Sequence, residues 1–298
     1  AKDEKLFIGW NDFRIDLEGK RFETIGRTSG GFELAMDDWG RIYETHNMVH
    51  ISHLLFPGRY LKDLVNTGRD TLVNISDHEE NGTSRIFALG EQETRVNHPE
   101  QSGYVSGACG TTHYGGGVFP AEFNGNIFVA DCVLNLIHRD VLIEDDPAGT
   151  AQRGRESIEF IASTDRAFRP VNMTVGPDGA LYVLDMHRDV IEHPEWIPDE
   201  MEVNMDLDAG RDKGRIFRVV PKVGKLHKVA AYSQDDKDAV IAALSHPNQW
   251  NRSTAQRLLV QWQDKDTITG ITQELESDIP QGRLHAMYTL HGLKELKP

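Results

Sequence analysis

Residues 171–188 read VNMTVGPDGALYVLDMHR. Asp178-Gly179 has the composition of a tight turn, and the apolar runs on either side alternate as two antiparallel strands would. The second strand then ends in Asp185, His187 and Arg188. The same plan recurs in FELAMDDWGRIYETHN (32–47) and VFPAEFNGNIFVADCVLN (118–135), with Gly40, Gly125 and Gly179 at the turns. One β-meander per repeat predicts an all-β propeller. The spacing from Gly125 to Gly179 suits one blade. The longer interval from Gly40 to Gly125 leaves room for an insertion around RYLKDLVNTGRD (59–70).

Outer strands are predicted at HISHLLF (50–56), SRIFALG (84–90), LIHRDVL (136–142), ESIEFIA (156–162) and GRIFRVV (214–220). FRIDL (13–17) with KRFETIG (20–26) reads as the tail of a further blade. The propeller is therefore partial, about three and a half blades. Because a ring needs four to eight blades, further blades are expected ahead of residue 1. After Pro221 the periodicity changes from strand to helix. Val240, Ala243 and Leu244, then Ala255, Leu258 and Leu259, fall at helical spacing, interrupted at Pro247. The expected organisation is propeller blades over 1–221, a linker over 222–234, and a small HEAT-like helical repeat segment over 235–298.

The 298 residues carry a formal net charge of −15, which argues against a nucleic-acid surface. No apolar run is long enough to predict a membrane span. The first residues, AKDEKLFIGW, do not read as a signal peptide, so either the chain is cytoplasmic or its targeting segment has been removed. Two cysteines exclude a four-thiolate metal site, and without C-x-x-C-H there is no haem attachment site in this chain.

In a propeller, the start of each innermost strand and the end of the next meet at one mouth. The polar ends here are Glu44-Thr45-His46-Asn47, Asp131-Cys132 and Asp185-Met186-His187-Arg188, facing Ser29-Gly30-Gly31, Ser106 to Gly110, and Phe168-Arg169-Pro170. Such convergence suits a binding site. The alternative for each residue is structural, a loop tied by hydrogen bonds. Cys109 and Cys132 sit at opposite ends of one predicted hairpin, close enough for a disulfide; two buried thiols are the alternative. His46, His50 and His53 would share a helical face, but their context is strand, and Asp206, Asp208 and Asp212 do not have calcium-loop spacing.

SGGFELAMDDWGRIYETHN, SGYVSGACGTTHYGGGVFP, NLIHRDVL and FRPVNMTVGPDGALYVLDMHRDVIEHPEWIP resemble the membrane-bound dehydrogenases of planctomycetes. That family is similar in propeller fold to soluble quinoprotein glucose and sorbosone dehydrogenases, and commonly continues into HEAT-like repeats and cytochrome c. The resemblance implies a periplasmic or secreted oxidoreductase that oxidises a carbohydrate alcohol. Electrons would pass through pyrroloquinoline quinone (PQQ), with Ca2+, to a cytochrome c-type acceptor. On that reading Asp185, His187, Arg188 and Arg169 are catalytic, with the arginines steadying a developing oxyanion. Asp131, His46 and Asn47 bind cofactor, and the metal ligands are not specified. The family's Arg-Asn before an inner Gly-Leu-Ala is replaced here by Ser29-Gly30 before Glu33-Leu34-Ala35. Two other readings are a non-catalytic propeller and HEAT module binding glycan or protein, and a glycan hydrolase or lyase using Asp131 and Asp185.

Overall fold

The computed structural model describes residues 8–16, 19–31, 33–60, 71–90, 103–144 and 147–297. It is mostly β-sheet. β1 (Asn11–Ile15) pairs with β2 (Phe22–Arg27). β3 (Leu34–Met36), β4 (Ile42–Glu44), β5 (Ser52–Leu54) and β6 (Leu72–Asn74) form a four-stranded antiparallel meander. A short hairpin of β7 (Glu79–Glu80) and β8 (Thr83–Ser84) follows. The next sheet runs through β9 (Ala108–His113), β10 (Ile127–Asp131), β11 (Leu136–Ile143) and β12 (Thr150–Arg153), with β13 (Ile161–Ala162) also paired to β11. The last comprises β14 (Pro170–Val175), β15 (Leu181–Asp185) and β16 (Arg215–Val219).

The leading strands of three sheets lie side by side, β3 against β9 and β9 against β14. Thr112 Oγ1 donates to Met173 O across the second contact at 2.6 Å. Gly110 makes that approach possible, since a Cβ there would overlap the backbone of Val171 and Asn172. Two apolar cores result. One holds Tyr43, Ile51, Ile75, Ile127 and Leu136; the other holds Tyr114, Phe119, Phe128, Met173 and Leu181. The architecture is compatible with part of a β-propeller, and no ring closes among the described residues.

Five α-helices occur among the described residues, four of them after residue 236. α1 (Asp199–Glu202) is a single turn between β15 and β16. α2 (Lys237–Ala242) starts at Asp236, whose side chain accepts from Ala239 N. His246 is extended before Pro247, as proline's ring requires, and α3 (Gln249–Trp262) begins afresh at an Asn248 cap. α4 (Ile268–Glu274) and α5 (Pro280–Gly292) complete a layer around Val240, Leu244, Leu259, Ile271 and Leu290. This layer is docked by charge. Asp38, in the β3–β4 turn, accepts from Arg252 Nη2 at 2.6 Å and lies 2.7 Å from His285 Nε2.

Three strand expectations need correction. Residues 118–126 are not a strand: Pro120 leads into a 3-10 turn, Ala121–Phe123, and the partner of β10 is β9. SRIFALG contributes only Ser84 to a strand, and ESIEFIA only Ile161 and Ala162. The short polar strand β12 has no apolar alternation and was not anticipated. Of the expected insertion, residues 61–70 lie outside the described residues.

Candidate metal centre

The polar ends do meet. Asp131 closes β10 and accepts four main-chain N–H groups: Val133 and Leu134 on Oδ1 (2.9 Å each), Ser106 and Gly107 on Oδ2 (3.2 and 3.1 Å). Asp185 does the same at the end of β15, accepting from Arg169 N at 2.8 Å and His187 N at 2.9 Å. Glu44, at the end of β4, accepts from Ser29 N at 2.8 Å. Each acid fastens the entrance of its sheet's leading strand to the exit of the next. Burial and the facing Asp12 push the Glu44 carboxyl up to about 7.

Arg169 joins two of these ends. Its Nη1 donates to Cys132 O and Val133 O, Nε to Arg188 O and Nη2 to Asp189 O. His187, at φ +53°, turns its Nδ1 toward Arg215 and Asp185. Arg188 keeps one buried Nη1 without a hydrogen bond. His46 lies in a turn closed with Val49, and exposed Asn47 offers its carbonyl to Ala108 N. So Arg169 ties the strand end of Asp131 to that of Asp185 and His187, and the polar groups of Asp131 and Arg169 are held by main chain.

The expected disulfide is absent. Cys109 and Cys132 are free thiols; Cys109 Sγ donates to Ala130 O at 3.3 Å and Pro170 O at 3.4 Å. The two thiols are neighbours, as expected, although they are not bonded. The neighbouring Cys132 and burial together push the Cys109 thiol up.

A second polar cluster lies elsewhere. His138 and Asp140 are two residues apart on β11 and therefore project from the same face. His50 precedes β5, and His78 lies between β6 and β7. One ligand atom from each of the four lies within 4.8 Å of all the others. Asp140 is fully buried; its Oδ2 stands 2.8 Å from His50 Nε2, and its Oδ1 stands 3.0 Å from His138 Nε2 and 3.7 Å from His78 Nε2. His50 Nε2, His78 Nε2 and Asp140 Oδ2 are all buried without a hydrogen-bond partner.

The outer nitrogens of two rings are oriented. His78 Nδ1 faces Asp77 Oδ1 at 2.9 Å, and His138 Nδ1 faces Glu159 Oε2 at 2.6 Å. Carboxylates behind ligating imidazoles fix the tautomer and direct Nε2 inward. Arg153 Nη1 in turn donates to Glu159 at 3.1 Å. Burial opposes charge on His138, but Asp140 and Glu159 outweigh it and push the ring up to about 9. Burial alone would raise Asp140, yet His138 and His50 hold it well below the carboxylate range. Burial dominates at His78 and lowers it.

Three imidazoles and one carboxylate form a borderline N/O donor set, suited to Zn2+ and other first-row divalent ions. Tetrahedral zinc with bonds of about 2.0–2.1 Å separates its ligands by roughly 3.4 Å. The observed spacings bracket that value. The cluster was not anticipated because its residues are scattered. In sequence His50 groups with His46 and His53, but His53 stacks on Tyr43 and reaches Ala148 O at 2.7 Å. The local signal was H-x-D inside LIHRDVL, which places two donors on one strand face.

A family model described as a domain of unknown function, DUF7133, matches residues 1–223. No curated protein matches the chain. Among solved structures, two glucose dehydrogenases are similar: one at 17% identity and TM-score 0.29, over 58% of this chain and 66% of that one; the other at 16% and 0.28, over 58% and 69%. A protein from Bacteroides uniformis described provisionally as a 6-phosphogluconolactonase is similar at 16% identity and TM-score 0.30, over 73% of this chain and 62% of its own. TM-scores of this size carry no inference about activity. No helix among the described residues is long and apolar enough to cross a membrane.

Proposed function

We propose, for a chain that belongs to the DUF7133 family, a metal-dependent role in which His50, His78, His138 and Asp140 hold one first-row divalent cation. The observation that carries this is the convergence of His50 Nε2, His78 Nε2 and Asp140 Oδ2, all buried and without hydrogen bonds. Buried polar atoms left without a hydrogen bond cost free energy. A cation satisfies all of them at once. It would also staple two sheets, because His50 and His78 flank the β5–β6 edge while His138 and Asp140 belong to β11. The side chains present would hold the metal, fix the imidazole tautomers and orientations of His78 and His138 through Asp77 and Glu159, and exclude water; of the four, only His78 reaches the surface, at 15% exposure.

The test is elemental analysis of the full chain purified without chelator and reloaded with Zn2+, followed by thermal unfolding with and without EDTA. One metal per chain and a melting temperature lowered by EDTA are expected. Absence of bound metal after reloading, with no EDTA effect, overturns the reading.

Carbohydrate oxidation by a propeller is a second reading, favoured by the FRPVNMTVGPDGALYVLDMHRDVIEHPEWIP block. Asp131, the carboxylate assigned to the cofactor, already accepts four N–H groups and has no oxygen left free for PQQ or Ca2+, and Arg169, assigned to the oxyanion, donates to four carbonyls. Sugar-dependent reduction of an electron-accepting dye by the metal-loaded protein would support this reading. No reduction across a panel of aldoses and alditols would remove it.

A further inference from the structure

On the opposite face of β11 from His138 and Asp140 stands Arg139. It is only 8% exposed, with its guanidinium 4.4 Å above the Phe123 ring. Nη2 donates to Gly154 O at 2.7 Å, but Nη1 is buried and has no hydrogen-bond partner. A cation that buried normally has a partner for each donor. Gly154 is shaped to this group, because any Cβ there would overlap Nε.

Arg139 lines a cavity of about 120 Å³ together with Phe123, His138, Arg153, Arg155, Ile158 and Phe160. Arg153 is committed through Nη1 to Glu159 and through Nη2 to Arg85 O, and Arg155 is exposed at the rim. Glu122 is the nearby acid that Arg139 feels. Two guanidinium groups therefore remain for a ligand, one of them above the Phe123 ring. The space is well below the roughly 300–1,000 Å³ of pockets for drug-sized ligands. It admits a phosphate or carboxylate group and excludes a nucleotide.

We infer that this cavity is a binding site for the oxyanion head group of a small molecule, held by Arg139 Nη1 within and Arg155 at the rim. Guanidinium is the side chain best matched to such groups, since its planar donors meet two oxygens together. The rest of the ligand would extend past exposed Ile158 into solvent. The inference does not depend on the metal, although His138 belongs to both sites.

Isothermal titration of the full chain with inorganic phosphate, and separately with acetate, tests the site on metal-loaded and EDTA-treated protein. Saturable binding of either probe is expected, weakened about tenfold in Arg139→Met and severalfold in Arg155→Met. The preferred probe identifies the head group. Arg139→Met keeps an apolar stem over Phe123, and circular dichroism checks that it folds; Arg155→Met alters an exposed residue and serves if it does not. Binding that persists after EDTA separates this site from the metal centre. No saturable binding of either probe by wild type, or undiminished binding in both variants, overturns the inference.

Discussion

Two clusters of acids and bases among the described residues differ in what their polar atoms touch. At the mouth, Asp131 accepts four main-chain N–H groups and Arg169 donates to four main-chain carbonyls. Between the sheets, His50, His78 and Asp140 aim buried atoms at one another without a hydrogen bond. The mouth has the composition of an active site and the bonding of a clamp. The other cluster is inconspicuous in sequence and has the bonding of a ligand site. A polar side chain points to a ligand through the capacity it has left over, and composition does not report that capacity.

The sharpest way to break this comparison is Asp140→Asn. It removes the only carboxylate of the four-residue cluster and should abolish stoichiometric metal in elemental analysis. Folding stability should fall by about 3–5 kcal/mol, the range for breaking a buried charge constellation. Asp131→Ala should cost about 2–4 kcal/mol in denaturant unfolding, because four N–H groups lose their acceptor. Metal per folded chain should stay unchanged. If Asp131→Ala empties the metal centre, the two clusters are one device and the contrast fails.

Asp38 supplies a third case, a buried acid fully matched by cations. Burial would raise its carboxyl, but His285 and Arg252 hold it down from 3.8 to about 2. Its contribution is therefore complete above about pH 4 and lost as pH falls toward 2, on the order of 2 kcal/mol. Asp38→Asn should flatten stability against pH in that window. An unchanged acid limb would show that the contact between helices and sheets is neutral. The smallest effect is expected at the thiols. Two titratable thiols should be found in denatured, non-reduced protein, and Cys132→Ser should shift stability by less than about 1 kcal/mol.

Much of the β architecture was legible because turns and alternation are local. Gly179, at φ +85°, stands where the Asp-Gly turn predicted it, and GRIFRVV and LIHRDVL are strands over most of their length. The segment around Pro120 misled because Phe119 and Phe123 look like a strand face, whereas they stack beside Tyr114 and Phe160. The mouth was legible because acids recur at equivalent strand ends. Their role as acceptors for main-chain N–H depends on where each oxygen points. The four-residue cluster was hidden for a topological reason: β5 and β6 belong to one sheet and β11 to another, and their edges meet at the parallel bridge of Ser76 with Ala151.

That scattering bears on how the protein is made. His50 and His78 leave the ribosome first, and His138 and Asp140 follow roughly 3–12 s after His78 at about 5–20 residues per second. During that interval the nascent chain displays two imidazoles with no carboxylate to complete the set. Such a half-site ranks ions by intrinsic affinity and so favours copper over zinc. If the cluster holds a metal, correct loading would therefore wait for β11 to dock, and the order of synthesis would make metal choice a late event in the life of the chain.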